Sequence, residues 1–142
     1  NTFFYFAFFF SLLYFKFYSF EKNIIPGTVL CFTSYLFHIL ANLLGDLFYI
    51  QEKENKTSIK SPVVSGTFSF QKTLNLSFLS GVFATFLCIF YFSKYFIFFY
   101  FLKIFFDLKL ENPNCLGLKK TFFTICSQII FGYMLFRLLD QV

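Results

Sequence analysis

Ser34, His38, Asn42 and Asp46 recur every four residues along one apolar run. At that spacing they share a helix face and form one polar stripe that drifts slowly around the axis. An acidic group within a membrane is costly and ordinarily faces protein or water. The stripe can therefore line an aqueous path, with His38 and Asp46 handling protons or cations. A packing role is the simpler alternative: Ser34 and Asn42 hydrogen-bond a neighbouring helix, while Asp46, five residues before Gln51, sits near the interface. Gly45 and Ala41 flank the stripe at a spacing that allows close helix contact.

Two further stripes carry small or polar residues. Ser80, Ala84 and Cys88 are spaced by four, as are Gly81 and Thr85. Small side chains let helix backbones approach, so these positions read as packing surface. Thr124, Gln128 and Gly132 repeat the spacing near the C-terminus. Gln128 lies deep in an apolar run, where an interhelical hydrogen bond is the expected role. Arg137, near the end of that run, is expected to snorkel to the interface.

Enzymatic chemistry finds little support. His38 is the sole histidine, so bis-histidine haem within the chain is excluded. His38 and Asp46 stand eight residues apart on one helix, too far for a direct hydrogen bond. Cys31, Cys88, Cys115 and Cys126 form no CxxC pair, which leaves too few ligands for zinc and favours free buried thiols. No phosphate loop or paired carboxylate site is visible. The expectation is a protein with no catalytic residues, no metal and no cofactor.

The elements that must position these residues are membrane helices. Only 13% of the 142 residues are charged and 58% are hydrophobic, with mean hydropathy +0.69. Soluble domains carry roughly 25% charged residues, and a chain this short cannot hide so much apolar surface from water. The 29 Phe, with no Trp, read as generic lipid-facing bulk in place of Leu. The net charge of +5 sits mostly in short loops. That pattern fits helix-end anchoring and anionic headgroups rather than nucleic acid.

Solid apolar runs rather than alternating strands predict an all-α, multi-pass transmembrane bundle of about four spanning helices. They are expected over about 2–20, 28–50, 73–106 and 121–139, in a single transmembrane domain with polar loops at 51–72 and 107–120. The third run, interrupted at Ser93-Lys94, reads either as one long helix whose second half leaves or bends along the membrane, or as a spanning helix from Leu74 to Phe92 with a short aromatic helix from Lys94 to Phe106, too short to span comfortably, as its extension. The chain opens on Asn1 rather than Met. The run 2–20 lacks the basic leader of a signal peptide and reads as a spanning helix. Pro26-Gly27 punctuates the start of the second helix. On this layout Lys22, Lys109, Lys119 and Lys120 fall on one side of the membrane. Lys53, Lys56, Lys60 and Lys72 fall on the other, so the positive-inside rule gives no orientation.

Several anchors follow one another in a recognisable order. Leu44-Gly45-Asp46-Leu47 closes a helix and is followed by Gln51. A polar loop comes next, then KTLNLSFLSGVFATFLCIFYF from Lys72 to Phe92, and later Lys119-Lys120 opening a further helix. In this order, over roughly Leu40 to Lys120, the chain resembles the Mpv17/PMP22 family of small organellar membrane proteins. Gly45 and Asp46 match its Gly-Asp, and Lys72, Thr73 and Leu74 match its basic helix start. Tyr91 and Phe92 occupy its Trp-Tyr place. The chain departs from the pattern where the family's Gly-Pro appears as Thr85-Phe86 and its Asp-Gln as Thr124-Ile125. The family's Trp-Pro and Asn-Phe stretch would lie beyond Val142.

The resemblance implies a multi-helix protein of the mitochondrial inner membrane or, alternatively, the peroxisomal membrane. Such proteins are linked to small-solute permeability and organelle homeostasis and have no catalytic residues. The stripe ending at Asp46 would then be the pore-facing surface. The competing reading is a structural membrane subunit of a respiratory or ATP-synthase complex. The expected partner in either case is the lipid bilayer, with room for a homo-oligomer or a larger membrane complex and none for nucleic acid.

Overall fold

The computed structural model describes residues 2–56 and 61–141, and these are helical with no strand among them. The elements are α1 (Thr2–Tyr14), α2 (Phe20–Phe48), α3 (Ile50–Lys56), α4 (Phe70–Tyr91), α5 (Lys94–Glu111) and α6 (Leu118–Gln141). The all-α bundle expected of the sequence is what forms. Three helices, 20–48, 70–91 and 118–140, are long and apolar enough to cross a membrane. The chain is accordingly an integral membrane protein.

The element boundaries depart from the expected layout at several points, each with a local cause. α1 has 13 residues and ends at Tyr14. At about 1.5 Å per residue it falls short of the roughly 30 Å hydrocarbon core. Lys16, with φ 58°, turns the chain into α2. α2 begins at Phe20 and runs straight through Pro26-Gly27. Pro26 forfeits one hydrogen bond in the second turn. Gly27 repays the loss, because its bare backbone receives the ring of Phe9 from α1 and any Cβ there would overlap that ring. α4 starts at Phe70, ahead of the expected 73, because Ser69 caps it: Lys72 N–H donates to Ser69 Oγ at 3.2 Å.

Of the two readings of the run 73–106, the broken one is what forms, with the second piece a full helix rather than a short extension. Phe92 (ψ 168°) and Ser93 (ψ 156°) are both extended, and the chain breaks between α4 and α5. Serine is a favoured helix N-cap residue, and Phe92 stacks on Phe96 across the break with centroids 5.3 Å apart. α5 then continues to Glu111, so the expected loop 107–120 shrinks to 112–117. The first part of the other expected loop is α3. Residues 57–60 of that loop, Lys60 among them, lie outside the described residues.

Pairings along the helices give the topology. Ser34 meets Tyr100, and His38 lies close to Asp107, so α2 and α5 are parallel. Leu40 faces Gly81 and Phe32 faces Phe83, so α4 runs against α2. Phe99 pairs with Tyr133 and Phe106 with Phe123, so α6 runs against α5. α1 lies against α2, with Tyr5 near Cys31 and Phe9 on Gly27. α4 and α6 therefore point the same way, and α5 must carry the chain back across the bundle between them.

That return crossing changes the charge count. Lys53, Lys56, Lys72, Lys109, Lys119 and Lys120 now gather at one end of the bundle, which we term the lysine-rich end. Lys16, Lys22, Lys94 and Arg137 lie towards the other. The even split drawn from the sequence rested on residues 94–106 extending the third helix without crossing back, and it is corrected here. The positive-inside rule favours the lysine-rich end for the side on which basic loops are retained.

The core follows the same axis. Away from the lysine-rich end it is apolar, built on Phe9, Leu13, Leu30, Phe131, Met134 and Leu135. Ala84 and Cys88 of the expected α4 stripe are fully buried, and Ser80, Gly81 and Thr85 are half-buried. Gly132 lies opposite Phe8 of α1.

In a variant stripped of its native cysteines, Ser65→Cys and Leu116→Cys are expected to label from the same face of a sealed vesicle. Ser93→Cys is expected to label from the opposite face. Labelling of positions 65 and 116 from opposite faces would remove the return crossing by α5.

Candidate functional site

The polar stripe of α2 faces inward, onto α5, and each of its members meets a different environment. Ser34 is fully buried, with its Oγ 3.0 Å from the Tyr100 hydroxyl. Tyr100 donates onward to the Leu30 carbonyl at 3.2 Å, so Ser34 is the donor between the two hydroxyls. This pair is a satisfied interhelical link in the apolar half, as the packing reading anticipates.

One to two turns further on, the bundle holds buried charge. Lys103 is 1% exposed. Its ammonium donates to Asp107 Oδ2 at 2.7 Å and to the Tyr5 hydroxyl at 2.5 Å. It also lies 4.9 Å from the Tyr5 ring centroid. Asp107 is buried too, and its second oxygen accepts from Ser127 Oγ at 2.6 Å. His38 Nδ1 stands 3.7 Å from Asp107 Oδ2, and this buried nitrogen makes no hydrogen bond. α1, α2 and α6 thus each bring one residue, and α5 two, to a single charged centre. Lys103 and Asp107 are four apart on α5, the helical spacing that lets an ion pair close within one turn.

A cavity of about 330 Å³ opens beside this centre. His38 and Asn42 line it from α2, Asp107 and Glu111 from α5, and Lys120, Thr124, Ser127 and Gln128 from α6. Phe4, Tyr5 and Leu110 complete its wall. Lys120 is exposed, which places the mouth of this chamber at the lysine-rich end. Two of the four stripe residues, His38 and Asn42, therefore face a chamber, and Gln128 joins them there from α6.

Asp46 does not line the chamber. It accepts from Lys53 of α3 at 2.6 Å, and Lys53 also donates to Glu111 of α5 at 2.6 Å. This clasp ties together the ends of α2 and α5 at the chamber rim. Gly45 lies beneath it, directly against the Glu111 side chain, and a Cβ at that position would overlap Glu111. Burial works against the Lys53 ammonium. The hydrogen bonds and charges of Asp46 and Glu111 outweigh that cost and raise its pKa.

Sequence reasoning singled out His38, Asn42, Asp46 and Gln128 but missed Tyr5, Lys53, Lys103, Asp107, Glu111 and Ser127. The available signal was Lys103-x-x-x-Asp107, two charges at helical spacing beside a strongly aromatic run. Tyr5 carries no signal of its own. All four cysteines are free thiols, and Cys31, Cys88 and Cys115 are buried. Among the described residues no three of His, Cys, Asp and Glu are grouped to hold a metal ion.

Removing one partner of a buried ion pair leaves an uncompensated charge and costs about 3–5 kcal/mol. Lys103→Met is expected to lose stability of that order in detergent, and a Lys103→Met/Asp107→Leu double variant to recover most of it. Equal losses in the single and double variants would remove the pair from its structural role. A second expectation concerns the clasp. A group with a raised folded pKa gives stability that is complete below its unfolded value, about 10.4 for lysine, and that fades as pH climbs through the folded value. The deficit of Lys53→Met relative to the parent should therefore stay constant from neutral pH to mildly alkaline pH and shrink only at strongly alkaline pH. Thermal unfolding across a pH series checks this.

No protein-family model, curated protein or solved structure matches this chain.

Proposed function

We propose that the protein is a channel-like integral membrane protein that admits small polar solutes to its intramembrane chamber from the lysine-rich end. The observation that carries this reading is the chamber itself: about 330 Å³ of polar-lined space between apolar helices. Packing alone does not call for such a space, since polar groups inside membrane proteins ordinarily satisfy one another directly or face water. Beyond the chamber, the Lys103–Tyr5 contact and the apolar core around Phe9 and Leu30 close the bundle, so this is a shut conformation. Opening requires α1 to shift, because Tyr5 of α1 is the lid over Lys103.

The resemblance to the Mpv17/PMP22 family supports the same reading and extends it to an organellar membrane. The mitochondrial inner membrane is the first candidate and the peroxisomal membrane the second. Asp46 changes its part in this picture. It acts through the clasp at the rim rather than as a pore-lining charge.

A second reading is a structural subunit of a larger membrane complex, such as a respiratory or ATP-synthase assembly. It is favoured by an apolar groove on the outer face of α4 and α5. Ser77, Gly81 and Thr85 line this groove together with Phe101 and Ile104. Small residues in such a groove allow a partner helix to approach closely. Migration as a small species on a native gel would count against this second reading.

Vesicles carrying the purified protein are expected to take up small polyols faster than protein-free vesicles. Asn42→Phe and Gln128→Phe, which fill the chamber, should return uptake to the protein-free level while the variants keep their helical content. Unchanged uptake in both variants would rule the chamber out as the route.

A further inference from the structure

The charges around the chamber cancel. Asp107 pairs with Lys103 at 2.7 Å, and Asp46 and Glu111 share Lys53 at 2.6 Å each. Lys120, at the mouth, supplies a third ammonium against these three carboxylates. The imidazole of His38 adds no charge when neutral, as the formal charge count takes it. An ion drawn in from water would lose hydration and find each carboxylate inside already holding an ammonium. A charge left without a partner in a low-dielectric interior is strongly disfavoured.

What the walls leave unpaired is uncharged. Asn42 of α2 and Gln128 of α6 both line the space, and neither carboxamide makes a hydrogen bond among the described residues. Each carboxamide offers two N–H donors and one carbonyl acceptor. The two hydroxyls on the α6 wall have already donated. Thr124 Oγ1 donates to the Lys120 carbonyl at 2.8 Å and Ser127 Oγ to Asp107 at 2.6 Å, so towards the chamber these oxygens can only accept. The open wall groups therefore comprise donors and acceptors together, without net charge. Their complement is a solute that also carries both, such as an alcohol or an amide. The volume of about 330 Å³ equals that of roughly ten water molecules at ~30 Å³ each, which suits a short polyol or a small amide.

We infer that the chamber selects small uncharged solutes bearing hydroxyl or amide groups, recognises them through Asn42 and Gln128, and refuses small ions of either sign. This deepens the reading of the chamber as solute-accessible and rests on it. The carboxamides recognise the solute, while the cancelled charges keep ions out.

The first test uses the full chain in sealed vesicles at about pH 8, the upper edge of the range in which imidazoles ordinarily gain their charge. Light scattering follows the entry of glycerol and of urea, and trapped dyes follow K⁺ and Cl⁻. Both neutral solutes should enter faster than into protein-free vesicles, with neither ion leaking above the protein-free level. A leak of K⁺ or Cl⁻ that rises with protein dose in step with glycerol uptake overturns the inference and leaves the chamber standing as a route. Absence of uptake of every solute overturns the route as well.

The second test separates recognition from charge. Asn42→Leu combined with Gln128→Met keeps the chamber open but removes both carboxamides, and it should lower glycerol uptake by roughly tenfold, the scale of two lost hydrogen bonds. Gln128→Glu, close to the parent in shape, adds one carboxylate without a partner and should let K⁺ leak while Cl⁻ stays excluded. Unchanged glycerol uptake in the folded double variant overturns recognition by the carboxamides. A folded Gln128→Glu that leaks no more K⁺ than the parent overturns charge cancellation as the cause of ion exclusion. Should either variant fail to fold, the comparison of neutral solutes with ions in the parent decides alone.

Discussion

Lys103 and Asp107, one helical turn apart on α5, cannot both sit inside an apolar bundle unless each satisfies the other. Much of the structure can be read as the means of meeting that demand. α1 supplies the Tyr5 hydroxyl, α6 supplies Ser127, and α2 brings His38 alongside. The pair thereby fixes which faces of four helices look inward. It also sets the level at which the interior changes from apolar to polar. On one side of it lie Phe9, Leu30 and Phe131, and on the other the chamber with Asn42 and Gln128.

The clasp at the rim solves a related problem with different parts. Asp46 and Glu111 come from parallel helices and would repel one another without Lys53 between them. Gly45 lets the two helix ends come close enough for one ammonium to reach both carboxylates. Buried pairs of this kind add little net stability over an apolar replacement, but they resist the loss of a single partner. Here they specify register, since sliding α2 against α5 by one turn would break both the clasp and the approach of His38 to Asp107.

The class of fold was legible in the sequence because it depends on composition and run length, which lipid-facing helices cannot disguise. Ser34, His38, Asn42 and Asp46 were legible as one face because helical spacing is a local property. The partners of that face were not. Tyr5 is one aromatic among many in its run, and only the reach of Lys103 from α5 to its hydroxyl sets it apart. The break at Ser93 was legible as one of two readings, since Ser93-Lys94 interrupts the apolar run, but the return crossing was not, because the piece from Lys94 to Phe106 is too short to span comfortably. Treating that piece as an extension of α4 placed the chain from Asp107 to Lys120 at the wrong end of the bundle. For that reason the lysines seemed evenly divided and Asp107 seemed to lie in a loop.

The composition of α5 bears on how the chain enters the bilayer. A lysine or an aspartate at the centre of a helix adds about 2.5–3.5 kcal/mol to the cost of membrane insertion. α5 carries Lys103 and Asp107 within its length and Lys94, Lys109 and Glu111 towards its ends, and it is not among the helices long and apolar enough to cross a membrane. Its charges find relief only from residues on other helices and from one another. α1 and α2 emerge from the ribosome earlier, so Tyr5 and His38 can already be in place when α5 is made. Ser127 follows within one further helix. α5 is thus a passenger segment, drawn into the membrane by a bundle that precedes it and sealed there by the helix that follows.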